Sequence, residues 1–436
     1  MPAWMLGITV VRHPFGGIGP STAFHPAGFP AARDHGVMRT VGVEEELLVV
    51  NEAGLPVPWS PQALDVAARR GDGETVEEHD RAEQKGDDHG VDDQEESAAH
   101  LMPELKAQQI ELGTEVCSTL TEVGARLRHW RSRADAAAAS VGARVAALAT
   151  SPVPVEPIAT DGDRYTALHE AFALTAREML TCGCHVHVST EDDQEGTVVL
   201  DRIRIWLPVL TALSANSPFW QGADSGYASF RSQAWQRWPS AGPNDPFGSV
   251  EAYERLVDDV LSTGTVLDDG MLYFDARLSA KWPTVEIRVA DVLLRVEDAV
   301  TLAGLSRGLV ETAGREARDG MPVPAVRSEL LRLAAWRAGR SGLSGDLVHP
   351  LTGRPAPAAD VLATLLEHIR PALTEAGDLD RVTEGVTELL RRGTGADLQR
   401  RVLRETGDLR AVVRTAVAVT AGEPEETAQA AASPGG

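Results

Sequence analysis

The chain has 436 residues, 43% of them hydrophobic, which is enough to bury one large core or two to three of average size. Its formal net charge of −23 argues against sequence-independent nucleic-acid binding, which depends on basic surface to displace counterions from phosphate. Three cysteines, Cys117, Cys182 and Cys184, fit a reducing cytoplasm better than a disulfide scaffold.

Residues 1–37 are rich in Gly, Pro and His without helical or strand period, and read as a disordered extension ahead of Met38. The apolar run Trp4 to Val11 has no preceding Lys or Arg, and no run approaches the ~20 apolar residues a spanning helix needs, so no membrane segment is expected. The Gly16-Gly17-Ile18-Gly19 cluster has neither a preceding strand nor a following Lys-Ser or Lys-Thr, and is given no function.

The first convincing strand is Thr40 to Val50. Side chains alternate across a strand, so Glu44 and Glu46 share the face opposite Val43 and Leu47. An acidic stretch follows: residues 71–100 carry twelve Asp or Glu against Arg81 and Lys85, a local balance of −10. Like charges at that density repel and have little to bury, so residues 71–97 are expected to be a solvated, disordered insertion.

Beyond it, Thr114 to Leu148 reads as one long helix with Leu120, Val123, Leu127 and Trp130 on its stripe. Arg164 to Leu180 is a second helix, and Asp201 to Ala215 a third. Residues 216–248 are dense in Ser, Gly, Pro, Trp and Arg, and Trp220, Trp235 and Trp238 there fit an interface, a substrate rim or core equally well. Met271 to Leu278 and Pro283 to Asp291 form an expected hairpin, with Asp275 and Arg277 on one face as Glu286 and Arg288 are on theirs. The remainder is mostly helical, and residues 421–436 read as a disordered tail.

Between the second and third helices lies Cys-Gly-Cys-His-Val-His-Val, residues 182–188. In a strand, Cys182, Cys184, Val186 and Val188 fall on one apolar face while His185 and His187 share the other. Three strands thus turn ionisable groups toward one space, and Glu111, in Gln-Ile-Glu-Leu-Gly, adds a further acid. Converging carboxylates cannot all stay ionised without cations, because each raises its neighbours' pKa. Carboxylate oxygens with an imidazole suit Mg²⁺ or Mn²⁺. Zinc on Cys182, Cys184, His185 and His187 is the alternative, opposed by the parity that separates sulfurs from imidazoles.

The cations form a second set: Arg231 in Tyr-Ala-Ser-Phe-Arg-Ser-Gln, Arg237, Arg277 and Arg288. Arginine forks hold carboxylate and phosphate oxygens, although Glu286 and Arg288 by themselves could equally form a structural ion pair. No Gly-x-x-x-x-Gly-Lys-Ser or -Thr occurs, so a nucleotide's phosphates would have to be held by metals and arginines.

Five ordered motifs carry a resemblance: Thr-Val-Gly-Val-Glu-Glu-Glu-Leu at 40–47, the His strand at 182–188, Ala-Asn-Ser-Pro-Phe-Trp-Gln-Gly at 215–222, Gly-Tyr-Ala-Ser-Phe-Arg-Ser-Gln at 226–233 and Pro-Thr-Val-Glu-Ile-Arg-Val-Ala-Asp at 283–291. Over residues 38–420 the chain resembles bacterial carboxylate-amine ligases of the second glutamate-cysteine ligase type. Two features depart from that pattern, the acidic insertion and Cys184, which stands where an aliphatic residue is more usual.

The resemblance implies an α+β fold like the glutamine synthetase catalytic domain, a curved antiparallel β-sheet floor with helices packed behind it. It further implies one catalytic domain over residues 38–420, ATP and Mg²⁺ or Mn²⁺ as cofactors, and metal ligands Glu44, Glu46, Glu111, His185 and Glu286. His187 is implied as a near-site group on the cofactor side, and Arg231 and Arg288 as catalytic and nucleotide-binding groups. L-glutamate and L-cysteine, or another amine, are the implied substrates, and a homo-oligomer is compatible with the fold. A ligase joining a different acid and amine, or a binding protein that keeps the fold without turnover, are the competing readings.

Overall fold

A computed structural model describes residues 38–85 and 100–424. The expected N-terminal extension, the expected tail beyond residue 424 and residues 86–99 of the acidic insertion lie outside the described residues.

The strands are β1 (Val41–Asn51), β2 (Leu101–Pro103), β3 (Gln109–Gly113), β4 (Ala143–Ala146), β5 (Gly183–Ser189), β6 (Phe219–Trp220), β7 (Ala223–Asp224), β8 (Ala276–Leu278), β9 (Thr284–Asp291), β10 (Asp346–Val348) and β11 (Pro355–Pro357). Seven form one open antiparallel sheet in the order β2-β3-β1-β5-β9-β8, with β4 also pairing the far half of β1. β6–β7 and β10–β11 are separate two-stranded ribbons. The expected mixed α+β architecture with an antiparallel sheet is therefore what the chain adopts.

Fourteen helices are described: α1 (Ser60–Arg69), α2 (Val76–Lys85), α3 (Leu120–Ala139), α4 (Asp163–Glu178), α5 (Asp193–Ile203), α6 (Leu207–Leu213), α7 (Arg231–Trp235), α8 (Val250–Ser262), α9 (Val296–Arg318), α10 (Ser328–Ser341), α11 (Ala358–Ala376), α12 (Leu379–Arg392), α13 (Gly395–Thr406) and α14 (Leu409–Thr420). Helix α9 is buried along most of its length and packs against α3, α5, α11 and α12, so it is the spine of the helical layer. The main core joins this layer to the apolar sheet face, through Val43, Leu47, Cys184, Val186, Val285 and Ile287.

Four sequence expectations need correction. The helix expected over 114–148 starts at Thr119, whose side chain and Glu122 form a capping box, and ends at Ala139. Gly142 at φ +82° turns the chain back, and Ala143–Ala146 becomes a strand on β1. The helix expected over 201–215 is two, α5 and α6, with a proline in the first turn of α6. The insertion is not wholly without structure, because α2 falls within it and Gly73 bridges Leu101 at the sheet edge. Finally, alternation in β9 ends at Arg288: Cys184 faces Ala290 while Val186 faces Ile287, a bulge that sets Arg288 and Val289 against His185.

Candidate active site

The polar face of the sheet is assembled by register. Glu46 on β1 faces Glu111 on β3, and Glu44 faces His185 on β5. His187 faces Glu286 on β9, and Glu286 faces Arg277 on β8. All five acids and imidazoles expected as ligands therefore lie on one face of four neighbouring strands, together with His187 and Arg288.

Side-chain distances divide this wall. Glu44, His187 and Glu286 offer ligand atoms that all lie within 4.8 Å of one another. His187 Nε2 is 3.3 Å from Glu44 Oε1, while its Nδ1 is 3.0 Å from the Thr284 hydroxyl, which orients the ring. His185 lies between the acids, with Nδ1 3.4 Å from Glu44 Oε2 and Nε2 3.9 Å from Glu46 Oε1. His187, expected as a near-site group, thus contributes a ring nitrogen to the tightest of these clusters.

One residue escaped the sequence reading. Glu104 directly follows β2, and since Met102 faces Glu111, Glu104 continues on the same face as the other acids. The pattern was present as Met102-Pro103-Glu104, but a three-residue strand carries too little alternation to be read without its partner. Burial and the neighbouring Glu46 push the Glu104 carboxyl up to about 7.

Electrostatics follow the same division. Burial raises Glu111 well above the usual carboxylate range, reinforced by Glu44, Glu104 and Glu46. Glu46 is also raised by burial, against Arg231 and a 2.8 Å hydrogen bond from the Gly183 N–H. In Glu44, burial is outweighed by His187 and His185, which hold it well below that range. In Glu286, burial is outweighed by Arg288 and Arg277, and Arg277 Nε is 2.7 Å from its Oε2. Burial and Arg288 lower His185 to about 4, so that it is a neutral imidazole at pH 7.

These residues fit divalent cations. Acids that raise one another's pKa are relieved by a cation, and His185 Nε2 is buried without a hydrogen-bond partner. Carboxylate oxygens are donors that suit Mg²⁺ or Mn²⁺, and an imidazole among them is compatible with either. The zinc alternative fails on geometry: Cys182 and Cys184 are buried in the core on the other face of β5, with Gln109 Nε2 3.6 Å from Cys182 Sγ.

The arginines divide too. Arg288 pairs with Glu286, so the ion pair and the site reading hold together. Arg231, 2% exposed, forms no ion pair closer than 4 Å among the described residues, although its charge acts on Glu46 and Asp291, and its guanidinium makes a 3.5 Å contact to the Arg288 carbonyl. It passes over the Trp235 ring at 5.4 Å and faces Gly183. Arg237 instead pairs with Glu178 at 2.7 Å, away from the acid wall. Trp238 is core, packed on Phe172 and Tyr273. Glu45, between the two site acids in sequence, points into the core, where Arg131 Nε and a terminal nitrogen each donate to it at 2.7 Å.

The model of the glutamate-cysteine ligase family 2 matches residues 40–415. The chain belongs to that family. It is an ATP-dependent ligase that forms an amide bond. A protein of Streptomyces coelicolor named "Putative glutamate--cysteine ligase 2" is 51% identical to the ligase over 380 residues, 87% of this chain and 98% of that one. One of Streptomyces avermitilis, "Putative glutamate--cysteine ligase 2-1", is 50% identical over 385 residues, 88% of this chain and 100% of that one.

Solved structures show the ligase's fold. A bifunctional glutathione synthetase from Pasteurella multocida aligns with TM-score 0.61 at 16% identity, over 90% of this chain and 52% of that one. A glutamate-cysteine ligase from Francisella tularensis in complex with AMP aligns with TM-score 0.55 at 12% identity, over 91% and 92%.

Proposed function

We propose that the protein joins the γ-carboxylate of L-glutamate to the amine of L-cysteine at the expense of ATP, in the cytoplasm and with Mg²⁺, within one catalytic domain over residues 38–420. The observation that carries the reading is the single sheet face on which five carboxylates and two imidazoles stand beside an under-paired buried arginine.

A carboxylate does not condense with an amine in water, so the reaction needs activation. The γ-carboxylate oxygen attacks the γ-phosphorus of ATP, the bond to the β,γ-bridging oxygen breaks, and ADP leaves an acyl phosphate. The amine then attacks the acyl carbon and phosphate departs, with loss of a proton from nitrogen.

Glu44, His187 and Glu286 would hold one divalent ion, and Glu46, Glu104 and Glu111, with His185 between the groups, a second. When bound, such ions neutralise the triphosphate and the charge on the group in transfer. Arg231 offers its guanidinium to phosphoryl or carboxylate oxygens, and because it is desolvated and in no close ion pair, little reorganisation is needed. Arg288 fixes Glu286 and presents its remaining N–H groups on the same side. Thr284 holds the His187 ring so that Nε2 faces the acids.

Hydroxylamine intercepts an acyl phosphate as a hydroxamate. Hydroxamate and ADP formed only when glutamate, ATP and Mg²⁺ are all present would support the reading. Hydroxamate with another acid would transfer the activation step to that acid, and ADP without hydroxamate would sink the intermediate.

A further inference from the structure

Asp291, the last residue of β9, is a fully buried carboxylate that the steps above leave unused. Its Oδ2 accepts from the Asn216 N–H at 2.8 Å and from the Ser217 hydroxyl at 2.7 Å, and its Oδ1 accepts from the Ser229 hydroxyl at 2.9 Å. Asn216 and Ser217 belong to the motif at 215–222, Ser229 to that at 226–233 and Asp291 to that at 283–291. Three of the five ordered motifs therefore meet at one carboxylate.

The same two hydroxyls start α7. Ser217 Oγ accepts from the Arg231 N–H at 3.0 Å, and Ser229 Oγ accepts from the Ser232 N–H at 3.3 Å. These are the first two N–H groups of the helix, which have no partner within it, and Phe230 at the N-cap supplies no side-chain bond. A hydroxyl has one proton, and a carboxylate only accepts. Asp291 thus draws both serine protons toward itself and leaves a lone pair on each oxygen for the backbone of α7. Bonds to a charged acceptor are roughly twice as strong as neutral ones, so the arrangement is stiff.

The surroundings hold this hub in register with the acid wall. Asp291 faces Gly183 on β5, the residue toward which the Arg231 guanidinium projects. The strand that ends at Asp291 also carries Glu286 and Arg288. Asn216 Nδ2 donates to the carbonyls of Ala147 and Val292, each at 2.8 Å, and the Gly339 carbonyl accepts from the Ala228 and Ser229 N–H groups, each at 2.9 Å. Burial pushes the Asp291 carboxyl up, and Arg231 is the foremost group holding it down, ahead of the three hydrogen bonds.

We propose that Asp291 is a positioning residue of the ligase: through Ser217 and Ser229 it fixes the first turn of α7 and so aims the Arg231 guanidinium at the acid wall. The assignment rests on the ligase reading above and on the part Arg231 plays in it. A carboxamide in this place has one acceptor oxygen and two donor hydrogens. Its oxygen can serve the donors of Asn216 and Ser217 or the donor of Ser229, but not both, so Asp291→Asn releases one serine proton and loosens α7. Ser217→Ala acts one step later, since it removes the acceptor of the Arg231 N–H and leaves Asp291 in place.

The test is a double-mutant cycle on hydroxamate formation at saturating ATP, Mg²⁺ and acid, with a melting curve for every variant. Arg231→Ala is expected to lower kcat by about 100-fold or more, the scale of one donor lost from a preorganised site. Asp291→Asn is expected to lower it by about tenfold, short of the ~100-fold of a full 1 Å misplacement, and Ser217→Ala in the same direction. In the Arg231→Ala background neither change should lower kcat further by more than about twofold, because residues acting through one group are not additive. The rise in melting temperature with Mg²⁺ should persist in Asp291→Asn and Ser217→Ala. If Asp291→Asn does not fold, Ser217→Ala carries the same cycle. Wild-type kcat in Ser217→Ala or in a folded Asp291→Asn, effects that multiply with that of Arg231→Ala, or loss of the Mg²⁺ response each overturns the positioning role. Arg231→Ala at the wild-type rate removes the arginine and this role together. Wild type that forms no hydroxamate with any acid overturns the ligase reading itself, and this is seen before any variant is made.

Discussion

The Arg231 guanidinium fills the space that a side chain at position 183 would need: a β-carbon on Gly183 would collide with an Arg231 terminal nitrogen and come within 3.0 Å of His185 Nε2. The glycine in the His strand is therefore a gap through which an arginine from α7 reaches the acid wall. Gly183→Ala is expected to displace Arg231 and cost at least about 100-fold in ADP release, the scale of a misplacement near 1 Å, with thermal stability nearly unchanged. Turnover close to wild type, measured beside a melting curve, would remove Arg231 from the mechanism.

The paired acids make a prediction about Mg²⁺ and protons. A ligand that binds only the folded state raises stability, by about 2.7 kcal/mol at a hundredfold excess over Kd. Glu104 has its carboxyl raised to about 7, so below that pH a proton competes with the ion. Folded-state ionisation of this group is costly without a cation, so its stabilising contribution to the metal-free protein is full below the ordinary carboxylate range and is lost as pH rises through about 7. The rise in melting temperature on replacing EDTA with Mg²⁺ should therefore grow from pH 5 to about pH 7.5 and then level off. A shift that is flat, or that shrinks with pH, would argue against a cation among these acids.

Glu44→Gln should lose most of that Mg²⁺-induced shift and turnover together, since Glu44 is in reach of both His187 and His185. Glu45→Gln, one residue along, should behave differently. It leaves the Arg131 guanidinium, 3% exposed, without its carboxylate, and breaking such a buried pair costs about 3–5 kcal/mol. Denaturant unfolding should show the loss, while the folded fraction keeps its Mg²⁺ response. If the two variants lost the Mg²⁺ response equally, the division of the strand into a site face and a core face would be wrong.

The cysteines supply a cheap check of the same division. Burial raises Cys182 and Cys184 well above the ordinary thiol range, and raises Cys117 to about 11. The thiolate is the reactive form. At pH 8 a disulfide reagent should label none of the three in the native protein and all three in guanidinium. Rapid native labelling of Cys182 or Cys184 would mean that this edge of β5 is open.

Period-two alternation was enough to place Glu44, Glu46, His185, His187, Glu286 and Arg288 on polar faces and Cys182 and Cys184 in the core, because each strand sorts its own side chains locally. The ordered motifs likewise carried the family and the α+β class. What local pattern could not decide was how those faces meet. Register alone sets Glu44 against His185 and His187 against Glu286, and so puts His187 rather than His185 in the tightest cluster of potential ligand atoms. Glu104 was lost because a three-residue strand takes its meaning from its partner, and the end of helix α3 was misjudged because β4 is stabilised by pairing with β1. The approach of Arg231 to Gly183, and the meeting of Asn216, Ser217 and Ser229 at Asp291, depend on contacts between segments distant in the chain. Alternation is a property of one strand, legible in its residues, whereas a site built between elements exists only once packing has brought them together.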